Sequence, residues 1–162
     1  MKFFIILASI ASITFAQGLF KLKVAQDNTV YYFGTYYAGS QNGYDTLGLA
    51  TITDQVTAPV LFSITNTVLE LASVDSKPVA FLSPKPSDTN TFDVLFTIPV
   101  NGVPLQGFSA SSNHDGTNDL HYGSKITTWL LSNGNLQYSA SGSCPNESTS
   151  CHVVTVQVEY VE

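Results

Sequence analysis

The chain has 162 residues and a formal net charge of −6, with twelve acidic residues against six basic ones, all of them lysine. Without arginine there is no planar fork for phosphates or base edges, and a few scattered lysines build no basic footprint, so nucleic acid is not an expected partner. With only 11% charged residues, the acidic, weakly charged and Ser/Thr/Asn-rich surface suits an extracellular or wall environment.

The N-terminus reads MKFFIILASIASITFAQG. Lys2 precedes an apolar run from Phe3 to Ala16, with Thr14 and Ala16 as small residues ahead of Gln17. A spanning helix needs about 20 apolar residues. This run is shorter and ends in a cleavage-like site, so residues 1–16 are expected to be a secretory signal peptide. Residues 17–162 then form a single domain, with net charge 5 − 12 = −7 once Lys2 is removed. That length supports one real core. No Pro/Ser-rich linker divides it, and the chain closes on VQVEYVE. Neither a membrane span in the mature chain nor a lipid-anchor tail is expected. The expected location is extracellular or in a cell wall.

The first mature segment alternates, placing Phe20, Leu22 and Val24 on one face and Lys21 and Lys23 on the other. Period-two patterning of this kind is the mark of half-buried antiparallel strands. Next comes an aromatic cluster. Tyr31, Tyr32, Tyr36, Tyr37 and Tyr44 hold five of the eight tyrosines in the chain. Alternation puts Tyr31 and Phe33 on one face and Tyr32 on the other, so the cluster cannot all be core. Aromatic rings with polar tips stack on sugars, which makes these tyrosines glycan-binding candidates. They also suit core packing and cross-strand pairs.

Phe62–Leu71 and Trp129–Tyr138 share an order of aromatic, aliphatic, hydroxyl, Asn and Leu. Each is expected to be a tight hairpin, turning on Asn66-Thr67 and Asn133-Gly134. Between them, Phe92, Val94, Phe96 and Ile98 share one face of a further strand. Turn signals stand at Gln41-Asn42-Gly43, Pro84-Lys85-Pro86, Asn101-Gly102 and Asp115-Gly116. In the last segment Val154, Val156, Val158 and Tyr160 are expected to face inward, with Thr155, Gln157 and Glu159 outward. Short strands with turns at this spacing give an all-β fold, a single-domain antiparallel sandwich or barrel.

Motifs for chemistry are thin. Asp115, Asn118 and Asp119 could offer oxygens to calcium, but they lack the spacing of a known loop and suit an ordinary turn. His114, His121 and His152 have no zinc-like spacing. No metal or cofactor is expected. Twelve acids make some carboxylate pair inevitable, yet none sits in a glycosidase motif. No Gly-x-Ser-x-Gly occurs, and His152, adjacent to Cys151, points to the opposite strand face. No catalytic residue is assigned, and a small secreted hydrolase is the least supported class.

The stretch CPNESTSC holds both cysteines, Cys144 and Cys151, and the one Asn-X-Ser/Thr sequon, at Asn146. In an oxidising compartment the two cysteines are expected to pair, with a bond to another chain as the rival. Asn146 on that loop is a candidate N-glycosylation site.

Taken in order, the leader, the Phe20-x-Leu22 strand, Trp129-x-Leu131-x-Asn133-Gly134-x-Leu136, Cys144-Pro145 and a cysteine opening a Val-rich strand resemble one group. They are similar to small secreted fungal cell-wall proteins of the phialide-associated type and their yeast wall-mannoprotein relatives. The resemblance implies a non-catalytic wall component. The expectation is therefore a secreted, non-enzymatic wall or surface protein, whose partners are wall polysaccharide or other wall proteins. The alternative is a carbohydrate-binding module using the tyrosine cluster.

Overall fold

The computed structural model describes residues 18–41, 43–53, 57–98, 105–123, 127–145 and 150–162. The expected signal peptide, Asn101-Gly102 and the sequon at Asn146 lie outside the described residues. The described residues form thirteen strands and no helix.

β1 (Phe20–Gln26) and the long β2 (Thr29–Gln41) make a hairpin on Asp27-Asn28, with φ of 50° and 62°. Two successive left-handed residues form the turn whose twist matches that of the strands. Asp-Asn signals such a turn more weakly than Asn-Gly, so the sequence does not announce it. β2 then changes partner. Thr29 to Tyr32 pair with β1, and Phe33 onward with β3 (Tyr44–Thr51). A bulge at Ala38 interrupts this second pairing, and Gly39 takes the φ of 119° that it requires.

Both expected hairpins form. β4 (Phe62–Thr65) and β5 (Val68–Leu71) turn on Asn66 and Thr67 at φ 51° and 64°. β10 (Thr128–Ser132) and β11 (Asn135–Ser139) turn on Asn133 and Gly134 at 50° and 78°. β6 (Val79–Lys85) pairs with β7 (Asp88–Thr97), and β8 (Phe108–Ser112) with β9 (Asn118–Tyr122). β12 (Cys151–Val154) and β13 (Gln157–Tyr160) end the chain. Every pairing is antiparallel. The run β1–β2–β3–β7–β6–β5–β4 returns to β1, a closed circuit of the kind a barrel uses. β11, β10 and β12 branch from it at β3 and β7, and β13, β9 and β8 branch at β1. The chain is an all-β domain.

The alternation read from the sequence explains the core. Phe20, Leu22 and Val24 are fully buried, as are Phe33, Phe62 and Phe96. Phe62 lies between Phe20 and Phe96, with ring centroids 6.1 and 5.9 Å away. Each such side chain contributes about 1.5–3 kcal/mol through removal of apolar area from water. The one tryptophan, Trp129, is buried, and its Nε1–H donates to the Leu120 carbonyl at 2.8 Å. That bond meets the indole's only polar requirement.

Three local expectations change. The last segment is two strands, not one: β12 pairs with β10, while β13 pairs with β1 and β9. Val156, in the break, is fully buried and its carbonyl accepts from Leu120 N. Tyr160, at the strand end, is 43% exposed and meets the core edge-on at Phe20. The strand through Pro84 continues where a turn was expected, and the chain turns after Lys85. β5 pairs with β6 only at Glu70↔Val79, so the missing N–H of Pro84 faces no ladder partner.

The second face of β3, β7 and β11 carries the buried polar residues Thr46, Thr91, Gln137 and Ser139. Thr91, Gln137 and Ser139 bond to residues of the candidate site.

Candidate functional site

The tyrosines do not share one surface. Tyr31 is half-buried and packs against the core beside fully buried Phe33. Tyr32, on the opposite face, donates its hydroxyl to the Glu159 carboxylate at 3.1 Å. Lys23 Nζ lies 2.5 Å from the same carboxylate, and Lys21 stands 5.7 Å from the centre of the Tyr32 ring. The Lys23 hydrogen bond, helped by that from Tyr32, holds the Glu159 carboxyl below its ordinary value. Burial first, and Glu159 second, push the Tyr32 phenol up. Tyr37 is the most open of the five, 63% exposed. Tyr44 borders a separate hollow of about 400 Å³ with Leu47, Val74 and Ile98.

Tyr36 has the most specific setting. It is directly opposed to Gly48 across β2 and β3, and its ring covers the Gly48 Cα, where a methyl would overlap it. An aromatic laid over a strand glycine fills the space a side chain would take. Gly48 pairs in turn with Leu95 of β7, and Leu95 with Phe81 of β6. The result is a row of apolar groups on the second face, with Tyr36 at its end and 37% exposed. Burial, then the nearby Asp93 charge, raise the Tyr36 phenol above its ordinary value.

Asp93 links this row to a cleft. Gln137 opposes Asp93 across β11 and β7, and its Nε2 donates to Asp93 Oδ1 at 2.8 Å. Lys85 Nζ approaches the same oxygen at 3.7 Å. Beyond Gln137 opens a cleft of about 650 Å³ between the β6–β7 turn and the loop after β11. Asp88 borders it, accepting from Thr91 Oγ1 at 2.5 Å and from the Asn90 amide at 2.9 Å, which hold its carboxyl below the ordinary value.

The far wall is the segment Ser141, Ser143, Cys144 and Pro145 that follows β11. Cys144 and Cys151 are bonded, joining the loop after β11 to the first residue of β12. These two strands are not neighbours, since β10 lies between them. Buried Ser139 shapes the same loop: its Oγ donates to the Ser143 carbonyl at 2.9 Å and accepts the Gly142 and Ser143 amides. The cysteines were legible in the sequence. Asp93, Gln137, Lys85 and Asn90 were not, because no spacing along the chain marks residues that meet only through strand pairing.

Two other constellations are simpler. Asp115 accepts the Thr117 amide at 3.0 Å and hydroxyl at 2.7 Å, a local turn lock. Asn118 accepts from Ser112 instead. No group of three or more metal-ligating residues occurs among the described residues. Ser111 Oγ and His121 Nε2 lie 2.7 Å apart on the exposed β8–β9 hairpin. Among the described residues no carboxylate bonds the other ring nitrogen, which an activated serine requires.

None of the described residues lies in a helix long and apolar enough to cross a membrane. Comparison with known proteins yields no matching family model, no matching curated protein and no matching solved structure.

Proposed function

We propose that the chain is a secreted, non-enzymatic cell-wall or extracellular surface protein that engages polysaccharide with the Tyr36 face. The observation that carries this reading is the Tyr36 ring laid flat on the Gly48 backbone, partly open, with Asp93 on the same sheet face two residues from Leu95, the β7 partner of Gly48. A sugar ring presents C–H groups on one face and hydroxyls at its rim. A fixed aromatic face next to a hydrogen-bond acceptor answers both. The leader and the paired cysteines support an oxidising, extracellular address, and the sequon at Asn146 supports a glycosylated product. A fungal wall origin rests on the resemblance of residue order alone.

The test is retention of the purified protein on insoluble β-glucan, chitin and mannan. One of the three should retain it, and Tyr36→Ala should reduce that retention at least tenfold. Failure to bind any of them would remove the reading. Fractionation of producing cells gives a second check. Recovery from culture medium alone, with none in the wall fraction, would leave an extracellular protein without a wall role.

A further inference from the structure

The cleft beyond Gln137 has a chemistry of its own. Its volume falls within the roughly 300–1,000 Å³ range of small-molecule sites. At its floor Gln137 is only 3% exposed, and its side chain is held by the bond to Asp93. That bond uses the amide nitrogen. The carbonyl oxygen has no protein partner among the described residues, so it is a pre-oriented acceptor. Asn90 and Asn133 line the walls. Their backbones are tied, Asn90 O accepting from Ala140 N at 2.8 Å and Asn133 N donating to Ser150 O at 3.2 Å. Their side-chain amides make no bond to other described residues. Each offers a donor and an acceptor from a fixed base. On the facing wall the disulfide anchors Cys144 and Ser139 anchors Ser143, so these lining residues need little ordering on binding.

The charges point to the ligand class. Among the described residues Lys85 and Asp88 are the charged groups on the lining, one of each sign, and Lys85 is already drawn to Asp93. A polyanion would also meet an arginine-free chain of net charge −6. Adjacent hydroxyls, each both donor and acceptor, match the amide set without bringing charge. We propose that this cleft binds uncharged sugar residues, read through their hydroxyls by Asn90, Asn133 and the Gln137 carbonyl, with the chain continuing past Asp93 to Tyr36. This rests on the polysaccharide reading above and adds a second, hydrogen-bonding subsite to it.

The experiment titrates the disulfide-bonded protein calorimetrically with linear β-1,3-gluco-oligosaccharide, N-acetylglucosamine oligosaccharide, mannan oligosaccharide and polygalacturonate. The double variant Asn90→Ala/Asn133→Gly removes both wall amides while glycine keeps the left-handed turn conformation of residue 133. It should weaken binding of the preferred neutral oligomer at least tenfold, with the melting temperature unchanged. Polygalacturonate should bind at least tenfold more weakly than that oligomer. Full affinity in the double variant together with loss in Tyr36→Ala overturns the cleft and leaves the Tyr36 reading standing. Loss in the double variant with full affinity in Tyr36→Ala supports the cleft and removes the Tyr36 face. Tighter binding of polygalacturonate overturns the assignment of an uncharged ligand, and no binding by the parent protein overturns both readings.

Discussion

The ring of Tyr36 lies over the bare Cα of Gly48, its directly opposed partner across β2 and β3. One residue lacks a side chain so that the other can lie flat. Gly48→Ala should therefore drive the ring off the sheet without removing it. The displaced atoms are the far end of a flexible side chain, and alanine suits a strand better than glycine, so stability should change by less than about 1 kcal/mol. Polysaccharide retention should nevertheless fall as far as in Tyr36→Ala. Thermal unfolding and the retention assay together check this. Full retention in Gly48→Ala would show that the flat ring does not matter.

The Cys144–Cys151 bond closes a loop across a sequence separation of 7. The chain-entropy estimate for so short a loop is about 2.5 kcal/mol. For a domain of this size that corresponds to a fall in melting temperature of about 5–10 °C on reduction or in the Cys144→Ser/Cys151→Ser variant. Trp129 is buried and the only tryptophan in the chain, so its fluorescence reports the transition. An unchanged melting temperature would show that the loop is not a stabilising staple.

Ser139 is buried, and its hydroxyl serves one carbonyl and two amides of the loop that carries Cys144. Ser139→Ala leaves those groups without their partner. Denaturant unfolding should show a loss of about 1–3 kcal/mol. Ser141→Ala, at an exposed neighbour, should stay within about 0.5 kcal/mol of the parent.

The Glu159 carboxyl is held below its ordinary value of 4.5, chiefly by Lys23. A group whose folded value is depressed contributes stability that is present above its unfolded value and lost as pH falls through the folded one. The parent should therefore lose stability below about pH 4.5 by a step that Glu159→Gln lacks. The step is small, because the pair is about a third exposed. Tyr32 acts at the other limit. Its phenol is raised, mainly by burial, so its contribution is present below pH 10 and lost as pH rises further. Melting curves from acid to alkaline pH for the parent, Glu159→Gln and Tyr32→Phe check both signs. Parallel acid limbs for the parent and Glu159→Gln would remove the Glu159 assignment.

Much of the fold is legible residue by residue. The alternation of Phe20, Leu22 and Val24 and the turns at Asn66-Thr67 and Asn133-Gly134 are local patterns, and each has a local cause: side chains of a strand alternate, and certain residue pairs tolerate positive φ. The division of 151–160 into β12 and β13 is not legible, because a continuous Val-rich alternation does not record that its two halves pair with different strands. Tyr160 misleads for the same reason, its inward parity bringing it only to the rim of the core.

The sequence by itself determined the class of structure, the buried faces, two of the hairpins and the cysteines as the available covalent link. Each follows from properties of adjacent residues. Only the tertiary structure decided which tyrosine is presented flat, and that Asp93 and Gln137, 44 residues apart in the chain, stand side by side at the edge of a polar cleft. Both depend on strand register, which is set by the packing of the whole sheet and leaves no periodic trace in any one segment.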